Sequence, residues 1–153
     1  MMPDQRIALL KPLVVAAIPI LCTIFTHGLA VMATVWFVRH EKKLGRAGVR
    51  FWNDILIVTL TMWFALAAHL VEIAGWAVAL ICCGEFHAFG TAFYESAMNY
   101  TTLGYGDLIM TPSWKLLGPL EAANGMLMFG VSTALIFAVV QRLIQARFAD
   151  LHD

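Results

Sequence analysis

The sequence predicts an all-α membrane protein, and two observations carry that prediction. Of the 153 residues, 61% are hydrophobic and 13% are charged, which is the balance of a membrane protein. Three apolar runs, residues 13–38, 55–83 and 116–140, are each long enough to cross a bilayer, which takes about 20 helical residues. The net charge of zero gives no argument for a nucleic-acid partner, and none is expected.

The first apolar run predicts a membrane span that the protein keeps. It is longer than the roughly 7–15 apolar residues of a secretory signal core, and no convincing small-residue cleavage site follows it. Pro19 and Gly28 are candidate bends in this helix. Membrane helices tolerate such residues where neighbouring groups satisfy the freed backbone.

The segment between the first two runs, residues 39–50, is the most basic stretch of the chain. The positive-inside rule places it in the cytoplasm, so the amino terminus lies outside and the second span runs outward. Arg142 and Arg147 follow the third run and place the carboxyl terminus inside by the same rule. The basic loop has two interpretations at this point: it only sets the topology, or it also contacts anionic lipid headgroups.

Residues 86–100 follow the second run and contain a helix that is too short to cross but suits a re-entrant segment. They lead into the glycine-rich segment, Thr101-Thr102-Leu103-Gly104-Tyr105-Gly106-Asp107. Its two glycines allow positive φ at alternate positions, so successive backbone carbonyls can point the same way. Carbonyls that line a pore can replace the hydration shell of an ion. From these residues alone, an ordinary turn is the alternative.

The glycine-rich segment resembles the Thr-Val-Gly-Tyr-Gly signature of tetrameric potassium channels, with Leu103 where valine is most common. Over roughly residues 51–145 the chain is similar to small prokaryotic potassium channels of the two-helix-pore (ion channel 2) family, with an extra amino-terminal helix. The resemblance implies a homotetramer, a pore helix and a selectivity filter. It implies K⁺ binding at the carbonyls of Thr102, Leu103, Gly104 and Tyr105 and the Thr102 hydroxyl, with Gly106 in the filter and Thr101 and Asp107 flanking it.

The same resemblance divides the chain into three parts. Residues 1–50 would form the first helix and the basic loop, 51–147 the pore domain, and 148–153 a short cytoplasmic tail. One departure concerns Met98, which stands where many members have an acidic residue that interacts with the aspartate after the filter. Asp107 must therefore find another partner or stay solvated.

The third run predicts the inner helix of the pore. Pro119 fits its first turn, where the missing N–H would have no helical partner. Gly125 stands where the inner helices of the family often bend, and Gly130 is a second candidate. Glycine in a membrane helix indicates either bending or close helix packing, and both remain open here.

Four polar side chains in apolar surroundings are further candidates. Glu95 and Glu121 must face protein or water, since buried charge is costly in lipid, and both are candidates to support the filter. For Glu121 a hydrated outer vestibule is the alternative. His69 and Glu72 share one helix face. They are interpreted as a mutually satisfied pair between helices, as a proton sensor, or as part of a metal site.

The cysteines are too few for a disulfide framework. Cys22, Cys82 and Cys83 all lie in apolar runs and are expected to be buried free thiols. A disulfide between subunits through Cys82 or Cys83 remains open.

Together these patterns predict a potassium-selective, leak-like channel that conducts passively and is not an enzyme. No span carries the regular arginines of a voltage sensor. The expected partners are K⁺, membrane lipid and further copies of the chain, with no cofactor besides the permeant ion, in a bacterial inner (cell) membrane. The alternatives are a non-selective monovalent cation channel and a non-conducting membrane scaffold or subunit.

Overall fold

The computed structural model describes residues 3–149, with side chains from residue 10 to residue 148. Within that range the protein is all-helical and has no strand. The four helices are α1 (Pro3–Lys43), α2 (Phe51–Cys82), α3 (Phe89–Tyr100) and α4 (Leu117–Ala149). Residues 150–153 of the predicted tail lie outside the described range.

Three of these helices, α1, α2 and α4, are long and apolar enough to cross a membrane, over Leu10–Lys43, Phe51–Cys82 and Leu117–Phe148. The prediction of three spans is therefore confirmed. Each helix runs beyond one or both ends of the apolar run that predicted it, because helical hydrogen bonding continues into polar residues past the bilayer core. Pro12 and Pro19 both lie inside α1 without ending it.

The described residues form two compact units. The first contains residues 3–26 and 69–128, and therefore all of α3 and the glycine-rich segment. Its core is formed by apolar side chains from all four helices. The largest of these fully buried side chains are Trp76, Leu80, Tyr100 and Leu117, and Ala16 joins them from α1.

The second unit contains residues 27–68 and 129–149, and has a smaller core of Ile57, Val139 and Leu143. Asp54, in the first turn of α2, accepts a hydrogen bond from the Gly48 N–H at 2.8 Å. The same carboxylate binds the Arg147 guanidinium at 2.7 Å. One acidic side chain thus joins the loop after α1 to the last turn of α4.

Gly125 in α4 lies directly against the end of α3. A Cβ atom at this position would lie 2.1 Å from the carbonyl oxygen of Tyr100, much closer than atoms can approach. At Gly130 the same atom would meet nothing within 4 Å. The structure therefore supports close packing at Gly125, since only a residue without a side chain lets the two backbones approach this closely. A hinge role for either glycine stays a prediction.

Replacing Gly125 by alanine should destabilise the protein, although alanine is the better helix former by about 1 kcal/mol. The Cβ must push α3 away or bend α4, and such overpacking costs about 1–3 kcal/mol. Gly130→Ala, on the same helix with open space around it, is the matched control and should be neutral or slightly stabilising. Unfolding in detergent measures both. Equal effects of the two substitutions would contradict the packing argument.

Candidate functional site

The glycine-rich segment begins where α3 ends. The Thr101 N–H donates to the Ala97 carbonyl at 3.1 Å, and the Thr102 N–H donates to the Asn99 carbonyl at 2.9 Å. The Gly104 N–H reaches back to the Met98 carbonyl at 3.2 Å. These bonds satisfy carbonyls that the last turn of a helix would otherwise leave open. They also fix the start of the segment relative to α3.

Every second residue of the segment has a positive φ angle: 61° at Thr102, 51° at Gly104 and 74° at Gly106. Thr102 has the only positive φ of any non-glycine residue in the described range. This conformation is uncommon for a residue with a β-branched side chain, and such outliers cluster at functional sites. Alternation between positive and negative φ turns successive carbonyl groups toward one side of the backbone.

The side chains between these positions are largely exposed to solvent in the single chain. Leu103 is 54% exposed and Tyr105 is 71% exposed. A Cβ atom built at Gly104 or Gly106 would meet nothing within 4 Å. Only a minor part of the surface of Tyr105, and less than half of that of Leu103, is therefore covered by their own chain.

Asp107 has a partner that the sequence analysis missed. The Asp107 carboxylate interacts with the Tyr94 hydroxyl, and this interaction is the main reason why the pKa of Tyr94 lies above its ordinary value. Tyr94 lies on α3 four residues before Met98, so one helical turn separates it from the position where the family often has an acid. Asp107 thus has a polar neighbour on α3 at Tyr94, one turn before Met98.

A second tyrosine of α3 brings His69 and Glu72 of α2 together. The Tyr100 hydroxyl donates to Glu72 Oε2, and His69 Nδ1 lies 3.0 Å from the same hydroxyl. His69 Nδ1 also lies 3.4 Å from Glu72 Oε2, and all three side chains are buried. Burial is the largest cause that raises the pKa of Tyr100, and the hydrogen bond to Glu72 is the second. The hydroxyl therefore remains a donor.

This geometry fits the interpretation of His69 and Glu72 as a satisfied polar pair between helices, with Tyr100 as the third member. Proton sensing and metal binding by the pair stay predictions. Sequence analysis missed Tyr100 because it ends an aromatic, largely apolar helix, and its hydroxyl could not be assigned a partner without the packing of α2.

Glu121 of α4 lies behind α3 and is fully buried. Its Oε1 lies 2.5 Å from the Ser96 hydroxyl oxygen, which in turn lies 2.8 Å from the carbonyl oxygen of Ile73 in α2. The alternative of a hydrated outer vestibule is therefore wrong for Glu121, because its side chain has no exposed surface.

Glu95, the other acid considered for filter support, is also buried. It accepts a hydrogen bond from the Asn99 side-chain amide at 3.3 Å. Burial raises the pKa of Glu95, the bond from Asn99 opposes that shift, and the charge of Asp107 adds to it. A role of Glu95 in supporting the filter stays a prediction.

The first helix makes polar contacts with α4 in both units. In the first unit the Asn124 amide donates to the Thr23 hydroxyl at 2.8 Å, and both residues are buried. In the second unit the Ser132 hydroxyl lies 3.1 Å from His27 Nε2. Buried polar contacts of this kind hold helices together in lipid. Within each unit, helix α1 is therefore bound to α4 by a polar contact.

The three cysteines are free thiols in the single chain. Cys22 and Cys82 are exposed and Cys83 is partly buried, which differs from the buried thiols expected from the sequence. The reason is that an apolar run also contains positions that do not face the core of the chain, and Cys22 and Cys82 occupy such positions. A disulfide between subunits stays a prediction.

Three membrane-spanning helices, a short helix between the second and third, and a glycine-rich loop after it define a membrane protein of the ion-channel class. Residues 56–142 match the model of the ion channel family. Because this match covers more than half of the chain, the protein belongs to the ion channel family. Among curated proteins and solved structures, none shows significant similarity to the chain.

Tyr100→Phe should lower stability, because phenylalanine keeps the buried ring but removes the donor to Glu72. The loss of a buried hydrogen bond to a charged group costs about 1.5–3 kcal/mol. Tyr94→Phe removes a hydroxyl at a more exposed position of the same helix and should change stability by less than about 0.5 kcal/mol. Unfolding in detergent compares the two variants. If the Tyr100→Phe variant is as stable as the Tyr94→Phe variant, the buried contacts among His69, Glu72 and Tyr100 do not hold α3.

Proposed function

We propose that the protein is a potassium-selective channel that conducts K⁺ passively as a homotetramer. The observation that carries this proposal is the backbone of Thr102-Leu103-Gly104-Tyr105-Gly106, in which φ is positive at every second residue. The segment follows a short helix inside the region that matches the ion channel family. This is the backbone alternation that a row of ion-facing carbonyls requires.

In the proposed mechanism the permeant ion exchanges water for backbone oxygens. The carbonyls of Thr102, Leu103, Gly104 and Tyr105 and the Thr102 hydroxyl would replace the hydration shell of K⁺. Ions in neighbouring sites repel one another, so that entry of one favours exit of another. The carboxyl end of α3 carries the negative end of the helix dipole and favours a cation nearby. No reaction and no organic cofactor takes part.

The proposed homotetramer is supported by the exposed side chains and backbone of the glycine-rich segment in a single chain. Irregular backbone at membrane depth is tolerated only where protein buries it or where it lines a watery cavity. One chain covers little of Leu103 and Tyr105 and supplies a single row of carbonyls. Four copies around one axis would surround the ion on all sides and enclose these side chains at the same time.

We also propose an orientation in a bacterial inner membrane, with the amino terminus outside and the carboxyl end inside. The basic loop at residues 39–50 supports it by the positive-inside rule, as do Arg142 and Arg147 at the end of α4. Asp107 would then lie at the outer mouth of the pore, where its carboxylate and the Tyr94 hydroxyl flank the filter.

The test is the reversal potential of the purified protein in a planar bilayer with KCl on one side and NaCl on the other. A reversal near the K⁺ limit with block by Ba²⁺ is expected. A reversal near zero would favour a non-selective cation channel instead. Silence with verified tetramers in the bilayer would favour a non-conducting scaffold or subunit.

Gly104→Ala should abolish or derange selective K⁺ flux and leave membrane insertion intact. Gly104 has a φ of +51°, which a residue with a Cβ adopts at a cost of about 1–2 kcal/mol, so the carbonyl row must shift. Gly90→Ala in α3 is the matched control, since a Cβ there meets nothing within 4 Å and no positive φ is required. Unchanged K⁺ selectivity of the Gly104→Ala channel would overturn the assignment of the filter.

A further inference from the structure

The hydroxyl of Ser96 makes two short contacts but has only one hydrogen. Its oxygen lies 2.8 Å from the Ile73 carbonyl oxygen and 2.5 Å from Glu121 Oε1. A backbone carbonyl can only accept, so the contact with Ile73 is a hydrogen bond only if the hydrogen of Ser96 points to it. The contact with Glu121 then has no hydrogen unless the carboxyl group supplies it. Two oxygens at 2.5 Å without a hydrogen between them would repel each other.

The surroundings of Glu121 also favour a neutral carboxylic acid. The side chain is fully buried, and among the described side chains none forms a salt bridge with it. The charged group close enough to act on it is another acid, Glu95, and the Asn99 amide is its remaining polar neighbour. Its Oε2 is buried without a hydrogen-bond partner in the described range. An unpaired charge in such a place is far more costly than an unpaired neutral carbonyl oxygen.

We infer that Glu121 is a neutral acid that donates its hydrogen to Ser96 and thereby positions α3 and the filter. This inference rests on the proposed function for its link to ion selectivity. Glu121 is a positioning residue, because it lies behind α3 and acts on the permeant ion only through Ser96 and the helix.

The path from Glu121 to the filter runs through Ser96 and the last turn of α3. Ser96 lies on α3 six residues before Thr102, and the last turn of α3 binds the N–H groups of Thr102 and Gly104. One turn along α4 from Glu121, Gly125 packs against the carbonyl oxygen of Tyr100. Helix α4 therefore holds α3 at two successive turns, once by a hydrogen bond and once by backbone contact. A shift of α3 at Ser96 moves the start of the filter.

The direction of the hydrogen bond makes the inference testable with two substitutions. Glu121→Gln keeps the shape and a donor to Ser96 and carries no charge. Glu121→Leu keeps the bulk of the side chain but has no donor. Glu41→Gln is the control, since Glu41 pairs with Arg46 at 3.8 Å and belongs to the second unit.

The first readout is the K⁺/Na⁺ permeability ratio from reversal potentials of verified tetramers. Glu121→Gln should keep the ratio of the natural protein. Glu121→Leu should lower it several-fold, because α3 loses the hydrogen bond at Ser96 that fixes its position. Loss of selectivity in Glu121→Gln as large as in Glu121→Leu would show that the ionised carboxylate is required and would overturn the inference. Unchanged selectivity in both variants would overturn the positioning role.

The second readout does not depend on conduction. Infrared difference spectra between the natural protein and Glu121→Gln at neutral pH should show a carbonyl band of a protonated carboxyl group, which the variant lacks. Glu41→Gln should change only carboxylate bands. Absence of the protonated band would overturn the neutral acid. Its presence in a protein that is not K⁺-selective would leave the neutral acid standing while the proposed function fails.

Discussion

Polar groups inside a bilayer must find their partners within the protein, and this constraint shapes the first unit. Helix α3 is too short to cross and ends in irregular backbone, so neither its end nor the glycine-rich segment can face lipid. Backbone bonds from Thr101, Thr102 and Gly104 satisfy the last turn of α3. The longer helices then contact one side of α3 through apolar side chains and a few buried polar contacts.

Those polar contacts favour helix association, which apolar packing alone does little to favour in a membrane. Lipid tails are as apolar as leucine, so burial of leucine against leucine gives membrane helices little reason to associate. Here α3 is bound from α2 through Tyr100 and Glu72, and from α4 through Ser96 and Glu121. The close approach at Gly125 adds van der Waals contact between the backbones of α3 and α4. The end of α3 is therefore held by two helices.

The fixed position of α3 matters because the geometry of a filter made of backbone carbonyls depends on where its backbone lies. Side-chain movement cannot correct that position. Small displacements of the supporting helix pass directly to the oxygens that would contact the ion. The added amino-terminal helix belongs to the same framework, since Thr23 binds Asn124 on α4 one residue before Gly125. The first span is thus connected to the helix that packs behind the proposed filter.

The sequence by itself determined the class of protein, the three spans and the position of the glycine-rich segment. Span length follows from bilayer thickness, and the glycines at 104 and 106 mark positive φ, so both can be recognised from local residues. Tertiary structure alone decided which polar groups meet. Glu121 was open between a vestibule and a buried site, and the hydroxyls of Tyr94 and Tyr100 had no predicted partners. Those contacts depend on how each helix is rotated about its axis, and in a helix that is apolar all round the residue pattern leaves that rotation undetermined.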